Sequence, residues 1–260
     1  MVAGCVRVRQ LSVPAEVNPL SEMDFFHQND RGLLRLPSVD STNAEALRRA
    51  AAGERGPLWI LADVQTAGRG RAGRSWVSEP GNLHASLLVT LAAPAPKAYQ
   101  LSLVTGVAVY DAIRNAMQPA PAALRLKWPN DLILASSKAG GILVESVRGH
   151  LLIGVGVNVC NEPPAGFSAL GYIGLQKVEF SVLEGIEAGI GLACDREASL
   201  PARYARLDCL AKREVRVTRG DETLDGTASG VDASGRLLLV QAGRTIAIET
   251  GSVRLRRSDH

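Results

Sequence analysis

The sequence is poor in aromatic residues and cysteine, and it contains no long apolar run. Aromatic side chains make up 4% of the 260 residues, and Cys5, Cys160, Cys194 and Cys209 form no C-x-x-C pair. Scattered thiols argue against a zinc site or a disulfide framework and favour a reducing compartment. No stretch of 18 apolar residues is present, and residues 1–10 lack the apolar run of a secretory signal. We therefore expect a cytoplasmic protein without a membrane partner.

The chain also lacks a large excess of charge of one sign. The formal net charge is +3, which is mild for a nucleic-acid-binding protein. Hydrophobic residues make up 46% of the chain, enough to bury a substantial core. The length predicts one large and one small domain.

The most informative segment, residues 68–76, reads GRGRAGRSW and follows an apolar strand-like segment at 58–64. Its glycines allow backbone N–H groups to converge on phosphate oxygens. Arg69, Arg71 and Arg74 supply planar donors that bind a phosphate or carboxylate through two hydrogen bonds. The segment, called the arginine loop below, is therefore predicted to bind a polyanion.

Two common phosphate-binding motifs fit the letters of this loop but not its surroundings. Its three glycines match the dinucleotide motif G-x-G-x-x-G, and it approximates a P-loop with Arg74 where that motif needs lysine. Both motifs open a helix, whereas Pro80 and Gly81 follow this loop and forbid one. A solvated charged loop without a ligand is the remaining alternative.

Four further segments accompany the arginine loop. They are SVDSTN at 38–43, KWPNDL at 127–132, KAGGILVE at 138–145 and IGVGVNV at 153–159. In this order and rough spacing, the five segments resemble the biotin protein ligases over about residues 33 to 160. Five motifs in order form a specific signature, which sets the solvated-loop alternative aside.

The resemblance implies an ATP-dependent ligase that forms an amide bond in two steps. The carboxylate of biotin attacks the α-phosphate of Mg·ATP, giving biotinyl-5′-adenylate and pyrophosphate. A lysine amine of a biotin carboxyl carrier protein then attacks the mixed anhydride. Positioning and cationic stabilisation of phosphate charge are expected to dominate both steps. The implied substrates are biotin and ATP with Mg²⁺, and a homodimer is compatible with the family.

The resemblance also assigns roles to individual residues. The expected catalytic residues are Lys138, Arg71 and Asp131, of which Asp131 is also a candidate Mg²⁺ ligand and proton acceptor. The residues expected to contact biotin are Ser41, Thr42, Asn43, Gln65, Gly68, Arg69, Gly70, Arg71, Lys138, Gly141 and Gly156. Those expected to contact ATP are Arg69, Arg71, Arg74, Trp76, Lys127, Asn130, Asp131 and Asn158.

Some of these residues also have a purely structural interpretation. Thr42 followed by Glu45 is typical of a capping box for a helix that should end at Gly53. Gly141 and Gly156 suit a β-bulge as well as the close approach of a ligand. The PND segment at 129–131 fits a turn, and the tryptophans of the motifs fit a hydrophobic core.

The free arginine loop is expected to be mobile. Its three guanidinium groups fall within six positions and repel one another when no anion is bound. We expect the loop to become ordered over the adenylate, where it would exclude water from a hydrolysable anhydride.

Hydrophobic patterning predicts an α+β fold. A strand is predicted at 33–36, helices at 99–117, 178–193 and 201–210, and a hairpin that pairs 141–146 with 151–159. Short hairpin connections imply antiparallel neighbours, so we expect a mixed, largely antiparallel sheet covered by helices on one face. This matches the class II synthetase-like catalytic domain of the resembled family.

From Arg213 onward the residue pattern changes and predicts five short strands separated by turns that contain Gly or Asp. This pattern predicts a small SH3-like β-barrel, which the resembled family also carries at its C-terminus. The expected organisation is an N-terminal segment (1–32), a biotin- and ATP-binding catalytic domain (33–211) and an SH3-like domain (212–260).

Two other functions compete with a biotin ligase. Some relatives carry an N-terminal helix-turn-helix and act as biotin-responsive repressors. About 32 residues without helical periodicity precede the first predicted strand, so DNA binding is not expected. A lipoate or octanoate protein ligase has a similar fold, but the arginine loop and the KWPND motif favour biotin.

Overall fold

The computed structural model describes residues 32–90, 97–117, 119, 121–160, 163, 165–171, 175, 178–179, 181–186 and 200–256. The N-terminal segment 1–31 and residues 257–260 lie outside this part of the chain. The predicted helix at 178–193 is helical at the described residues 178–179 and 181–186, and its remainder also lies outside. No helix among the described residues is long and apolar enough to cross a membrane.

Seven strands form the larger sheet. They are β1 (Gly32–Val39), β2 (Leu58–Gln65), β3 (Leu83–Thr90), β4 (Leu124–Lys127), β5 (Asp131–Leu134), β6 (Ser137–Val147) and β7 (His150–Val157). Their order is β1-β2-β3-β7-β6-β5-β4. β1 and β2 are parallel and are connected through helix α1 (Thr42–Ala51), whereas all other neighbours are antiparallel. The prediction of a mixed, largely antiparallel sheet is confirmed.

Helices cover both faces of this sheet because its central strands are apolar on both sides. On β3, Leu87 belongs to the core that includes Leu101 of helix α2 (Ala98–Ala116). The next residue, Leu88, packs with Ala46 of α1 instead. Successive side chains of a strand point to opposite faces, so each apolar face needs its own cover. The prediction that helices cover one face is therefore wrong.

Helix α1 begins differently from the predicted capping box. The N-cap is Ser41, which makes no side-chain capping bond. The Glu45 carboxylate instead binds two arginines of its own helix, Arg48 at 2.8 Å and Arg49 at 2.7 Å. The capping-box prediction is wrong because these i,i+3 and i,i+4 pairs compete for the same carboxylate. The predicted end is confirmed, since Gly53 follows the C-cap residue Ala52 and has φ +92°.

Helix α3 (Leu200–Ala205) is shorter than the predicted 201–210. The chain leaves the helix to pair with β4: Leu126 N donates to Leu207 O at 2.8 Å, and Cys209 N donates to Leu126 O at 2.9 Å. β4 is an edge strand, and these bonds satisfy backbone groups that the sheet leaves open there.

The C-terminal strands form a second, antiparallel sheet. They are β8 (Glu214–Arg219), β9 (Glu222–Val231), β10 (Leu237–Gln241), β11 (Arg244–Ile248) and β12 (Ser252–Leu255), in the order β11-β10-β9-β8-β12. The turn glycines Gly220, Gly235 and Gly243 have φ of +58°, +85° and +75°. Glycine adopts such positive φ values without steric cost, which is why these residues mark the turns in the sequence. The predicted small β-domain is confirmed.

The C-terminal sheet shares a continuous apolar core with the larger sheet. Leu237 and Leu239 belong to the same buried cluster as Trp128 of the KWPND motif. The indole Nε1 of Trp128 donates to Gly235 O at 3.1 Å. The core interpretation of Trp128 is confirmed, and this residue anchors the C-terminal sheet beside the KWPND turn.

Candidate functional site

The arginine loop is a short hairpin. Gly70 N donates to Arg74 O at 2.7 Å, and Trp76 N donates to Gly68 O at 2.8 Å. Only a single 3₁₀ turn, Arg71–Gly73, lies between these bonds, and no helix follows before β3. The exclusion of both helix-opening phosphate motifs is confirmed. A Cβ on Gly68 would lie 2.6 Å from Trp76 O, so the base of the hairpin requires glycine.

Two of the loop's arginines are exposed and point to different neighbours. Arg69 lies 3.5 Å from the Glu145 carboxylate of β6. Arg74 Nε donates to the backbone oxygen of Arg71 at 3.2 Å. The separation of the side chains reduces the repulsion between guanidinium groups that the sequence predicts.

Arg71 is half-buried and connects the loop to two other parts of the chain. Its guanidinium donates to Asn130 Oδ1 and to Thr250 Oγ1, both at 3.3 Å. Burial lowers the pKa of Arg71, the nearby Asp131 charge opposes that shift, and Arg74 adds to it. The contact with Thr250 was missed, because no local sequence signal brings the C-terminal sheet to this loop.

The start of α1 carries a buried polar cluster. Ser41, Thr42 and Asn43 are each less than 5% exposed. Gln65 Oε1 accepts from Thr42 N at 2.8 Å and from Thr42 Oγ1 at 3.2 Å, while Gln65 Nε2 donates to Ser78 Oγ at 2.9 Å. The structure thus brings together the four residues predicted for the biotin ring. It also joins them to the strand end that precedes the arginine loop.

Two members of this cluster were missed by sequence reasoning. Ser86 Oγ lies 2.8 Å from Thr42 Oγ1 and 2.5 Å from Asn43 Oδ1. Glu145 Oε2 accepts from Asn43 Nδ2 at 2.7 Å. A serine inside the apolar segment 83–91 was a usable signal for Ser86. Glu145 closes the KAGGILVE motif and received no role there.

A trough crosses the sheet on the face that α1 covers. In the strand register Asp131 pairs with Gly141, Gly141 with Gly156, and Gly156 with His84. Paired residues point to the same face, so the two glycines leave a gap between the flanking side chains. The Trp76 indole fills that gap above Gly156, since a Cβ on this glycine would lie 2.7 Å from its Cε2 atom.

The Lys138 ammonium lies over the other glycine of the trough. A Cβ on Gly141 would be 3.1 Å from Lys138 Nζ. That nitrogen is 2.6 Å from Asp131 Oδ1 and 5.4 Å from the Trp76 ring centroid. The trough therefore has a cation and a carboxylate at one end.

The trough glycines are not bulge residues. The register between β5 and β6 shifts where Leu132 pairs with Gly140 and Ile133 with Lys138, so the irregularity lies at Ala139. This shift turns Lys138 toward the trough. The bulge interpretation of Gly141 and Gly156 is therefore wrong.

The remaining predicted ATP residues lie beside the same end of the trough. Lys127 pairs with Asp131 across the β4–β5 hairpin, so the predicted turn is present at 128–130 and Asp131 is the first residue of β5 rather than part of the turn. Asn130 Nδ2 donates to Ile142 O at 2.8 Å and fixes that turn on β6. Asn158 is buried and donates to Ser168 O at 3.2 Å.

The residues present offer little metal-binding capacity of their own. Over the described ranges, no three His, Cys, Asp or Glu side chains cluster so as to hold a metal ion. Asp131 supplies a single carboxylate, with one oxygen already on Lys138. Mg²⁺ at nucleotide sites is commonly held by one or two carboxylates together with substrate phosphates. Asp131 could therefore bind Mg²⁺ only together with the phosphates of a bound nucleotide.

Comparison with known proteins gives two family matches. Residues 36–159 match the biotin/lipoate A/B protein ligase family, and residues 213–256 match the biotin protein ligase C-terminal domain. A biotin–(acetyl-CoA-carboxylase) ligase of Paracoccus denitrificans is 36% identical over 81% of this chain and 95% of its own length. The bifunctional ligase/repressor BirA of Escherichia coli is 32% identical over 95% of this chain and 82% of its own.

A solved structure has the same fold. The biotin protein ligase from Aquifex aeolicus, in complex with biotin and ATP, superimposes with a TM-score of 0.76 at 27% identity. The match covers 87% of this chain and 99% of that one.

Proposed function

The chain belongs to the biotin protein ligase family, and we propose that it attaches biotin to a lysine of a biotin carboxyl carrier protein. It is an ATP-dependent ligase whose substrates are biotin and ATP. The observation that carries the residue assignment is the trough over Gly141 and Gly156, with the Lys138 ammonium at one end. This shape suits a thin ligand with a terminal carboxylate.

Biotin is proposed to lie along the trough. Its carboxylate points to Lys138, and its tail runs along the row of the two glycines, against the Trp76 ring that covers Gly156. Its ureido ring lies toward the buried cluster of Thr42, Asn43 and Gln65, whose groups offer both donors and acceptors.

The first step joins biotin to AMP. A carboxylate oxygen of biotin attacks the α-phosphorus of ATP, the bond from that phosphorus to the bridging oxygen breaks, and pyrophosphate leaves. Lys138 and Arg71 are proposed to neutralise the approaching anions, with Arg69 and Arg74 on the exposed side of the loop. Both reactants are anionic, so cations held in place lower the barrier without reorganising during the reaction.

The second step transfers biotin to the carrier protein. The lysine amine attacks the acyl carbon of biotinyl-5′-adenylate, the mixed anhydride bond breaks, and AMP leaves with the electron pair. Asp131 is the proposed acceptor of the proton that the amine loses, because its carboxylate lies at the carboxylate end of the trough. The same carboxylate is a proposed Mg²⁺ ligand while the triphosphate is bound.

A lipoate or octanoate ligase is the competing function, since the matched family includes lipoate ligases. Lipoate and octanoate have no N–H groups on the end remote from the carboxylate. The buried polar cluster at the start of α1 would then be desolvated without a ligand partner, which is unfavourable.

Exchange of labelled pyrophosphate into ATP separates these functions. The chain should catalyse exchange with biotin at least 100-fold faster than with lipoate or octanoate at equal concentration. Adding a carrier domain should then yield one biotin on its acceptor lysine, seen by mass spectrometry. Faster exchange with lipoate would assign the chain to the competing function.

The wider setting is also proposed from the family and the sequence. We expect a cytoplasmic enzyme that acts without binding DNA and that can form a homodimer. Sedimentation with and without biotin and ATP measures the dimer. A gel-shift with cognate promoter DNA measures DNA binding, and a retarded band would contradict the expectation.

A further inference from the structure

His84 is a buried polar residue that the reaction described above does not use. Its side chain lies on β3 and is 2% exposed. Its ring Nε2 has no hydrogen-bond partner among the described residues, although that atom is fully buried. An unpartnered polar atom inside a protein is costly, so this nitrogen is a candidate for a ligand contact.

The hydrogen bond of the other ring nitrogen fixes the tautomer. His84 Nδ1 lies 3.3 Å from Ala62 O, and a carbonyl oxygen can only accept, so Nδ1 carries the proton. Burial lowers the pKa of His84 and outweighs the opposing effects of the Ala62 and Asp63 backbone and the Asp63 charge. The ring is therefore neutral near pH 7, and Nε2 is a hydrogen-bond acceptor.

His84 stands at the end of the trough remote from Lys138. It pairs with Gly156, and three strand spacings, roughly 14 Å in all, separate β3 from the strand of Asp131. The regular pairing of β2 with β3 ends at Leu61 and Ala85, so the strands no longer bond to each other beside His84. Since Nδ1 faces Ala62, Nε2 points away from β2, over the face that carries the trough.

Two of the amide acceptors near this end are already engaged. Gln65 Oε1 accepts two bonds from Thr42, and Asn43 Oδ1 lies 2.5 Å from the Ser86 hydroxyl. The proposed ureido ring brings two N–H donors into this region, each of which needs an acceptor when buried. His84 Nε2 is a buried acceptor on the same face that holds no such bond.

We propose that His84 is a specificity-determining residue whose Nε2 accepts a hydrogen bond from a ureido N–H of bound biotin. This inference rests on the proposed function. It explains selectivity, because lipoate and octanoate offer no N–H at that end and would leave Nε2 unpartnered. A site that must bind a donor rejects analogues without one far more strongly than an apolar pocket does.

The first measurement compares His84→Phe with His84→Gln. Phenylalanine keeps the ring volume without an acceptor, and biotin affinity by calorimetry should fall about 10- to 100-fold. Glutamine places an amide oxygen near the position of Nε2 and should stay within about 5-fold of the unmodified protein. The loss should appear in the KM for biotin rather than in kcat, and lipoate binding should not weaken.

His150→Phe is the matched control. His150 lies at the far end of the β3–β7 pairing, where its Nδ1 contacts Thr90 Oγ1 at 2.9 Å. It is six residues along β3 from the level of His84, roughly 20 Å away. Its replacement should leave biotin affinity unchanged.

A nitrogen NMR measurement does not depend on any variant folding. In the protein labelled with ¹⁵N-histidine, biotin should shift the His84 Nε2 signal toward that of a hydrogen-bonded acceptor. Octanoate should not, and the His84→Gln spectrum identifies the signal. An unshifted Nε2 signal in protein saturated with biotin overturns the assignment of His84, whatever the variants do.

The outcomes separate this inference from the function it rests on. Unmodified protein without biotin-dependent pyrophosphate exchange contradicts the proposed function. Normal exchange together with unchanged biotin affinity in a folded His84→Phe protein contradicts the role of His84 alone.

Discussion

Replacing Lys138 by methionine tests the chemical end of the trough. Methionine keeps most of the length and apolar surface of the side chain and removes only the ammonium. In the free protein that ammonium is 2.6 Å from Asp131, with 28% and 21% of the two side chains exposed. The variant therefore loses one partly buried ion pair and the proposed cation for the carboxylate and α-phosphate.

The structure sets the scale of two separate effects. Loss of a partly exposed ion pair costs about 1 kcal/mol of folding free energy, so the variant should remain folded. A charge-assisted hydrogen bond to an anion contributes about 1.5–3 kcal/mol, which corresponds to roughly 10- to 150-fold in kcat/KM for adenylate formation. The unpaired Asp131 carboxylate would also repel the incoming anions, which places the expected result in the upper part of that range.

Biotin-dependent pyrophosphate exchange is the assay, with Lys97→Met as the matched control. Lys97 is exposed at the N-cap of α2 and lies outside the site, so its replacement should leave the exchange rate unchanged. If Lys138 acts mainly in the transition state, kcat falls with little change in the biotin KM. If it binds the ground-state carboxylate equally well, the KM rises instead. A folded Lys138→Met protein with a normal exchange rate would refute the role of Lys138.

Three further variants probe other contacts. Arg71→Gly removes the links to Asn130 and Thr250, so adenylate should escape; biotin on bystander proteins by immunoblot supports this, and labelling confined to the carrier contradicts it. Gly154→Ala places a Cβ against Asn43 Oδ1 and should cost about 1–3 kcal/mol in urea unfolding and raise the biotin KM. Burial raises the pKa of Asp208 from 3.8 to about 6, so the folded protein favours the protonated carboxyl. The contribution of this protonation to folding stability is complete below pH 4 and is lost as the pH rises through 6. Asp208→Asn should therefore raise the unfolding free energy at pH 8 by about 1–3 kcal/mol and change it little at pH 4, and equal effects at both pH values would contradict this.

The sequence predicts the elements of this fold well where a local signal exists. The hairpin between β6 and β7 and the five C-terminal strands follow from alternation and from turn glycines such as Gly220. Local patterns do not predict the start of α1 or the end of α3. The carboxylate of Glu45 goes to two arginines rather than to a cap, and residues after Ala205 pair with β4 instead of continuing a helix. Both outcomes depend on competing partners that local patterns do not contain.

In the candidate site, too, motifs predict some residues, whereas others are recognised only from the pairing of the strands. The family resemblance carried by the motifs predicts Lys138, Asp131 and the trough glycines. The shared row of Gly141, Gly156 and His84 depends on the register of β3, β6 and β7, which joins segments about 70 residues apart. No single segment carries that register, so His84 has no visible role until the strands are paired.

The hydrogen bonds of the free arginine loop determine how easily a bound anion can replace them. The Arg71 guanidinium binds two neutral acceptors, Asn130 Oδ1 and Thr250 Oγ1, both at 3.3 Å, and Arg69 reaches Glu145 only at 3.5 Å. Hydrogen bonds become weaker as they lengthen beyond about 3.2 Å, whereas a phosphate offers the Arg71 guanidinium an anionic acceptor that can take two parallel bonds. A phosphate at the trough can therefore replace these contacts at little cost. We therefore still expect the free loop to be held only loosely near the trough and to become ordered when an anion binds.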